Sequence, residues 1–190
     1  MPHQVRGLVR LSAVIASSAL LAACTPATPP ASSPSPSPSN AGSATPTETE
    51  FQRQERVAYE HAETAYRSFE AEYLREITST FEPRVTQRMR SLAGGQFLRD
   101  SKRFLDSRRR SHVRSKGRSH IESVVRVAYA TNRVELTVCE DASAVTVFDR
   151  RGKRLGRGIV ARSDITVRLK AGEWRVWSSA QEHEVKSCDL

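Results

Sequence analysis

Cysteine thiols are the most reactive side chains in this 190-residue sequence, which contains Cys24, Cys139 and Cys188. A thiol can pair with another thiol, ligate a metal or carry a covalent group. Cys24 directly follows the small and apolar residues 21–23, whereas the other two cysteines lie in the second half of the chain. These settings predict different chemistry for Cys24 and for the later pair.

Residues 1–23 have the layout of an export signal. Arg6 and Arg10 give a positive start, and residues 11–22 form an apolar run that is shorter than the ~20 residues needed to span a bilayer. The Leu-Ala-Ala-Cys sequence ending at Cys24 resembles the bacterial lipobox. This resemblance implies cleavage before Cys24 and transfer of a diacylglyceryl group to its thiol, an anchor that is stable because it has two acyl chains. The alternative is an ordinary secretory signal in which Cys24 is incidental.

Residues 24–50 are expected to form a disordered tether. Seven of the nine prolines lie here, among Ser, Thr, Ala and Gly, and such a composition cannot bury a core. In a polyproline II conformation of ~3.1 Å per residue, the tether would reach about 80 Å at most. It would hold a folded domain, expected over residues 51–190, away from the outer face of the cytoplasmic membrane.

Apolar residues recur at helical spacing from residue 52 to 77, which predicts a long amphipathic helix. A second helix is expected to have Pro83 in its first turn and to stop at Gly94-Gly95. A third is expected over 96–110, with Phe104 facing inward. The apolar stripe of the first helix consists of Ala58, Ala62, Ala65, Phe69, Tyr73 and Ile77, widened by Tyr59 and Tyr66.

The pattern changes to strand-like alternation between about residues 119 and 180. Short breaks rich in turn residues separate the runs, and they predict antiparallel hairpins. Helices over about 52–110 followed by a meandering sheet define an α+β domain. The expected strands cover 124–130 (with Val125, Val127 and Tyr129 on one side), 133–139, 144–148, 158–169 and 173–178.

Two segments carry a family resemblance: Ala-Tyr-Arg-Ser-Phe at 65–69 of the opening helix, and the run 165–169 followed by G-x-W-x-V at 172–176. With this order of elements, the chain resembles small NTF2-like (cystatin-like cone) domains of actinobacterial lipoproteins. The resemblance implies helices packed on a curved antiparallel sheet around an apolar cone. That family includes ketosteroid-isomerase-like and dehydratase-like enzymes as well as binding modules, so it implies a fold and not a reaction. In an enzyme of this family, candidates for groups in the cone are Tyr66, Tyr73 and Asp164.

Cys139 and Cys188 are expected to form a disulfide, because an exported chain folds in an oxidising compartment. The bond would tie the strand at 133–139 to the C-terminal tail. The alternative is two separate thiols. The absence of C-x-x-C disfavours a redox-active pair, and a zinc site that adds His183 lacks any usual ligand spacing.

No catalytic constellation stands out, so we predict no enzyme activity, cofactor or metal site. The sequence contains no G-x-S-x-G, H-E-x-x-H or P-loop motif. Gly156-Arg157-Gly158 is expected to be a turn or bulge, since it precedes a strand rather than a helix. The histidines of the mature chain are expected at the surface: His61, His112, His120 and His183.

Charge is segregated along the chain, whose formal net charge is +9. Residues 99–118 and 150–170 each carry a net +7, whereas residues 48–82 carry −5. This predicts a basic surface facing an anionic partner, either anionic lipid or an envelope polymer; export makes nucleic acid an unsuitable partner. The alternative is that the arginines only solubilise exposed faces. The candidate residues are Arg108, Arg109, Arg110, Arg114, Lys116, Arg118, Arg150, Arg151, Lys153, Arg154 and Arg157.

The expected function is that of a membrane-anchored cell-envelope lipoprotein whose non-catalytic domain binds or scaffolds an unidentified ligand. One alternative is an NTF2-like enzyme or carrier that holds a small hydrophobic molecule in the cone. Another is an assembly factor that acts through its sheet face, for example as a homodimer. Two or more buried, convergent ionisable groups in the cone would favour an enzyme. A cone filled by Trp174, Phe69 and aliphatic side chains would exclude one.

Overall fold

The structure is a computed structural model that describes residues 47–189, except the side chains of residues 181 and 182. The predicted export signal, Cys24 and the tether up to residue 46 lie outside these residues. Helices packed against antiparallel sheets make this an α+β domain, so the predicted fold class is confirmed. The elements are α1 (Glu50–Ser79), α2 (Gln87–Leu92), α3 (Gly95–Arg110), β1 (Arg114–Lys116), β2 (His120–Ala130), β3 (Arg133–Asp141), β4 (Thr146–Phe148), β5 (Arg154–Arg157), β6 (Val160–Lys170) and β7 (Glu173–Glu184).

Helix α1 begins at a capping box. The Thr49 hydroxyl accepts from the Gln52 backbone N–H at 3.2 Å, and the Gln52 side chain accepts from the Thr49 N–H at 2.9 Å, which satisfies two donors at the helix start. The predicted apolar stripe is buried except for Tyr73, which is half-buried. The stripe therefore fixes which face of α1 packs on the sheet.

The second helix starts later than predicted. Pro83 is buried in the loop before α2, and Thr86 is the N-cap, its hydroxyl accepting from the Met89 N–H at 3.1 Å. Gly95 has a φ of +55°, and a Cβ on it would lie 2.6 Å from the Trp177 ring, so glycine suits this tight junction between α2 and α3. Phe104 was expected to face inward but is 47% exposed.

The strands form two sheets rather than a single meander. A four-stranded antiparallel sheet has the order β2-β3-β6-β7, and a three-stranded one has the order β1-β4-β5. The single meander predicted from the sequence is wrong because β4 and β5 leave the main sheet and pair with β1, which directly follows α3. The segment 156–158 was predicted as a turn or bulge, and the β4–β5 register is irregular directly before Gly156, while residue 158 connects β5 to β6.

Two β-bulges change the inner face of β2. The register with β3 shifts between Ile121 and Ser123 and again between Arg126 and Ala128. Each extra residue reverses the alternation of the side chains that follow. Ile121, Val124 and Tyr129 therefore pack against the core, while Val127 is 56% exposed, so the prediction that Val125, Val127 and Tyr129 share one side of the strand is wrong.

A single apolar core lies between the helices and the four-stranded sheet. Phe69 of α1, Met89 of α2 and Leu105 of α3 are buried in it. The sheet contributes the alternating positions of its inner strands, as predicted for β3. These residues are Val134, Leu136, Val138, Ile165, Val167 and Val176.

The predicted disulfide between Cys139 and Cys188 is confirmed. The two Cα atoms lie 5.6 Å apart, and the bond joins residues separated by 49 positions. Cys139 is only 1% exposed on β3, so the bond fastens the C-terminal tail onto the sheet. Within residues 47–189, no helix combines the length and apolar character that a bilayer-spanning segment needs.

Candidate functional site

A cavity of about 290 Å³ lies where α1 and α3 meet both sheets. Phe69 fills part of the core and Trp174 packs half-buried against it, yet this space remains. Much of its wall is apolar, and several polar side chains enter from different elements. The lining includes Tyr73, Leu74, Ile77, Phe104, Val145, Val147, Ile159 and Ala161, together with Glu70, Arg108, Ser115, Ser119, Glu140 and Arg157.

Glu70 and Glu140 mark one side of this cavity. Both also line two neighbouring cavities of about 480 and 350 Å³. Glu70 lies between Tyr66 and Tyr73 on the packed side of α1, and Glu140 continues the inward alternation of Leu136 and Val138 on β3. Two carboxyl groups from separate elements therefore border the same space.

Arg108 enters the cavity from the last turn of α3 and is only 9% exposed. Its Nη2 donates to the Ser115 Oγ at 2.7 Å, and its guanidinium carbon lies 5.6 Å from the centre of the Phe104 ring. Its Nε has no hydrogen-bond partner, and no ion pair among the described residues includes Arg108. Burial lowers the pKa of Arg108, and the nearby Tyr73 partly opposes this shift.

A sharp reversal after α3 places Ser115 beside Arg108. His112 has a φ of +51°, and the Val113 N–H donates to the Arg108 carbonyl at 3.2 Å. The chain then enters β1, where Ser115 is 1% exposed and pairs across the sheet with Val147 of β4. The small sheet and the end of α3 thus build this corner of the cavity together.

Only some of the residues proposed for an enzymatic cone line a cavity. Tyr66 and Tyr73 both line cavities beside α1. Asp164 is exposed and accepts from the Thr137 hydroxyl at 2.7 Å, away from the cavity walls. The four histidines considered above are exposed, and within residues 47–189 no cluster of His, Cys, Asp and Glu could hold a metal.

The small sheet brings the two predicted basic segments together. Arg114 and Lys116 lie on β1, while Arg154 and Arg157 lie on β5, with β4 between them. Arg108 does not belong to this surface, since it is buried, and its place among the predicted surface residues is wrong. The exposed members are Arg109, Arg110, Lys116, Arg118, Arg150, Arg151, Lys153, Arg154 and Arg157.

Some of these cations have partners within the domain. Arg109 pairs with Asp106 at 3.0 Å, and Arg150 pairs with Glu82 at 2.9 Å. The Arg114 guanidinium stacks over the Phe81 ring at 4.9 Å. Much of the remaining positive charge is concentrated at the β4–β5 turn and along β5.

Comparison with known proteins gives no family. No family model matches the sequence, and no curated protein matches it. Among solved structures, the chain is similar to the intermembrane space region of the chloroplast protein ARC6, with 14% identity, 63% of this chain and 94% of that one covered, and a TM-score of 0.40. It is also similar to a putative calcium/calmodulin-dependent protein kinase II association domain from Xanthomonas campestris, with 11% identity, coverage of 76% and 94%, and a TM-score of 0.35. Similarities of this size support no inference about function.

Proposed function

We propose that this chain is a cell-envelope lipoprotein, anchored in the membrane through Cys24, whose domain binds a small and largely apolar molecule without converting it. The observation that carries the binding role is the cavity of about 290 Å³ between α1, α3 and the two sheets. Ligand pockets are concave, mostly apolar and fitted with a few polar groups, and they start at ~300 Å³. The cavity matches this description at its lower limit.

Two features of the chain support export and anchoring. The first is the order of Arg6, Arg10, the apolar run and the Leu-Ala-Ala-Cys sequence. The second is the Cys139–Cys188 bond, because structural disulfides persist mainly in oxidising compartments. A diacylglyceryl group on Cys24 would then hold the domain at the outer face of the cytoplasmic membrane on its tether.

The second candidate is an enzyme that uses the same cavity. It is favoured because the carboxyl groups of Glu70 and Glu140 border this space together with Tyr73. Convergent ionisable groups in a cleft are a common mark of catalytic sites. The two roles differ in the fate of the bound molecule. A binding protein returns it unchanged, and an enzyme returns a product.

A photoreactive dodecanol tests the binding role with the full-length chain in neutral nanodiscs. We expect crosslinks to map to the walls of the cavity, and Ala161→Phe, which fills it from β6, to lower their yield roughly 10-fold. Ala128→Phe, at an exposed position of β2, is the matched control. Crosslinks that are equally strong in Ala161→Phe, or that are absent from the cavity both with this alcohol and with the corresponding dodecanoic acid, would refute the binding role. Recovery of a chemically altered probe would favour the enzyme.

The basic sheet supports a second contact, between the exposed face of β5 with its preceding turn and anionic lipid. The fragment 46–190, a compact unit, is expected to bind phosphatidylglycerol vesicles and to be released by salt. Changing Arg151, Lys153 and Arg154 together to Gln should weaken binding by up to roughly 100-fold. The same change at Arg84, Arg88 and Arg90 serves as the control. Vesicle binding that does not depend on salt, or that both triple variants weaken equally, rules this contact out.

A further inference from the structure

Arg108 is a buried cation that forms no ion pair with any carboxylate in the part of the chain that the structure describes. It is 9% exposed, and among the described residues the one hydrogen bond of its side chain is to the neutral hydroxyl of Ser115. Arg109, the next residue, is exposed and has its own carboxylate partner in Asp106. Buried charges in proteins are normally paired, because removing a charge from water is costly. Arg108 is therefore an exception among buried charges.

The side chain of Arg108 lies at the cavity. Arg108 and Ser115 both line the space of about 290 Å³, and Nε has no partner within the described residues. A guanidinium presents several donors in one plane, a geometry that matches the two oxygens of a carboxylate. The rest of the wall is rich in aliphatic and aromatic side chains, which suits a hydrocarbon chain.

We propose that the cavity takes a single-chain hydrophobic acid whose carboxylate lies against Arg108 and Ser115 and whose chain lies along the apolar wall. The inference rests on the proposed binding function and names the class of ligand for that same site. It treats Arg108 as a binding residue rather than a structural one. A neutral molecule of the same length would contact the apolar wall but leave Arg108 without an anionic partner.

The ionisable groups that line the cavity differ in position and in burial. Glu70 and Glu140 lie on the wall shared with the neighbouring cavities, which Arg108 does not line. Arg157 also lines the cavity, but it is exposed on β5, so Arg108 is the buried cation among the lining residues. A monoanionic carboxylate would match this one buried positive charge.

The test compares photoreactive dodecanoic acid with photoreactive dodecanol on the full-length chain in neutral nanodiscs. In the unmodified chain we expect the acid to label the cavity more strongly than the alcohol. Arg108→Gln should reduce labelling by the acid roughly 10- to 100-fold and leave labelling by the alcohol unchanged. Arg99→Gln, which removes an exposed arginine from the same helix, should alter neither.

The possible labelling results distinguish failure of the acid-binding inference from failure of the binding function. If acid and alcohol label the cavity equally, or if Arg108→Gln reduces both alike while melting as a folded protein, the acid-binding inference is overturned and the binding function stands. If neither probe reaches the cavity, the binding function itself fails. Should Arg108→Gln not fold, Arg108→Lys keeps the charge and decides the matter: a retained preference for the acid supports the inference, and equal labelling overturns it.

Discussion

Replacing Cys139 and Cys188 together with alanine is expected to lower the free energy of unfolding by about 4 kcal/mol, because the bond closes a loop of 49 positions. For a domain of this size, that loss corresponds to a melting temperature lower by roughly 10 °C. The tail after β7 lies against β3 through this bond, so it should also become accessible to protease. Thermal unfolding followed by circular dichroism, with limited proteolysis, measures both effects.

Reduction of the unmodified chain provides the matched comparison. A reductant should lower the melting temperature of the unmodified protein by a similar amount and leave the double variant unchanged, since the variant has no bond to break. A double variant that melts within about 2 °C of the unmodified protein would show that the bond contributes little to stability.

Cys24→Ala is expected to abolish the covalent attachment of labelled palmitate in cells completely. Alanine has no thiol to accept a diacylglyceryl group, and no other residue in the chain sits in a Leu-Ala-Ala-Cys setting. The Cys139→Ala/Cys188→Ala variant is the control, because it removes both other cysteines and should keep the label. Label that persists in Cys24→Ala, or disappears from the control, would place the acyl group elsewhere.

The main helix could be predicted closely because its signals are local. The apolar stripe from Ala58 to Ile77 repeats without interruption, and no Gly or Pro breaks it. Helix α1 accordingly runs from Glu50 to Ser79. In contrast, both Pro83 and Thr86 are suitable residues for the start of α2. The helix begins at Gln87 after the Thr86 cap, and Pro83 is buried in the preceding loop.

The division into two sheets could not be predicted from alternation. Strand β1 has three residues, too few to show a period, and it pairs with β4 across some thirty residues of intervening chain. The bulges of β2 could not be predicted from the sequence either, because Val125 and Val127 are as suitable for the core as Val124. Only pairing with β3 selects the inner set.

The cavity residues also differ in whether the sequence could identify them. Glu140 could have been identified, because it follows Val134, Leu136 and Val138 at the strand period. The burial of Arg108 could not, since it begins a run of three arginines that is typical of a solvated helix end. Its environment arises from the reversal at His112, which brings β1 back against α3.

The intact mass of the protein purified from its native membranes shows directly whether the chain is an anchored lipoprotein. We expect the mass of a chain that begins at Cys24, increased by a diacylglyceryl group, with the modification mapped to the Cys24 thiol by fragmentation. A chain that begins elsewhere, or an unmodified Cys24, would contradict the account of an anchored lipoprotein.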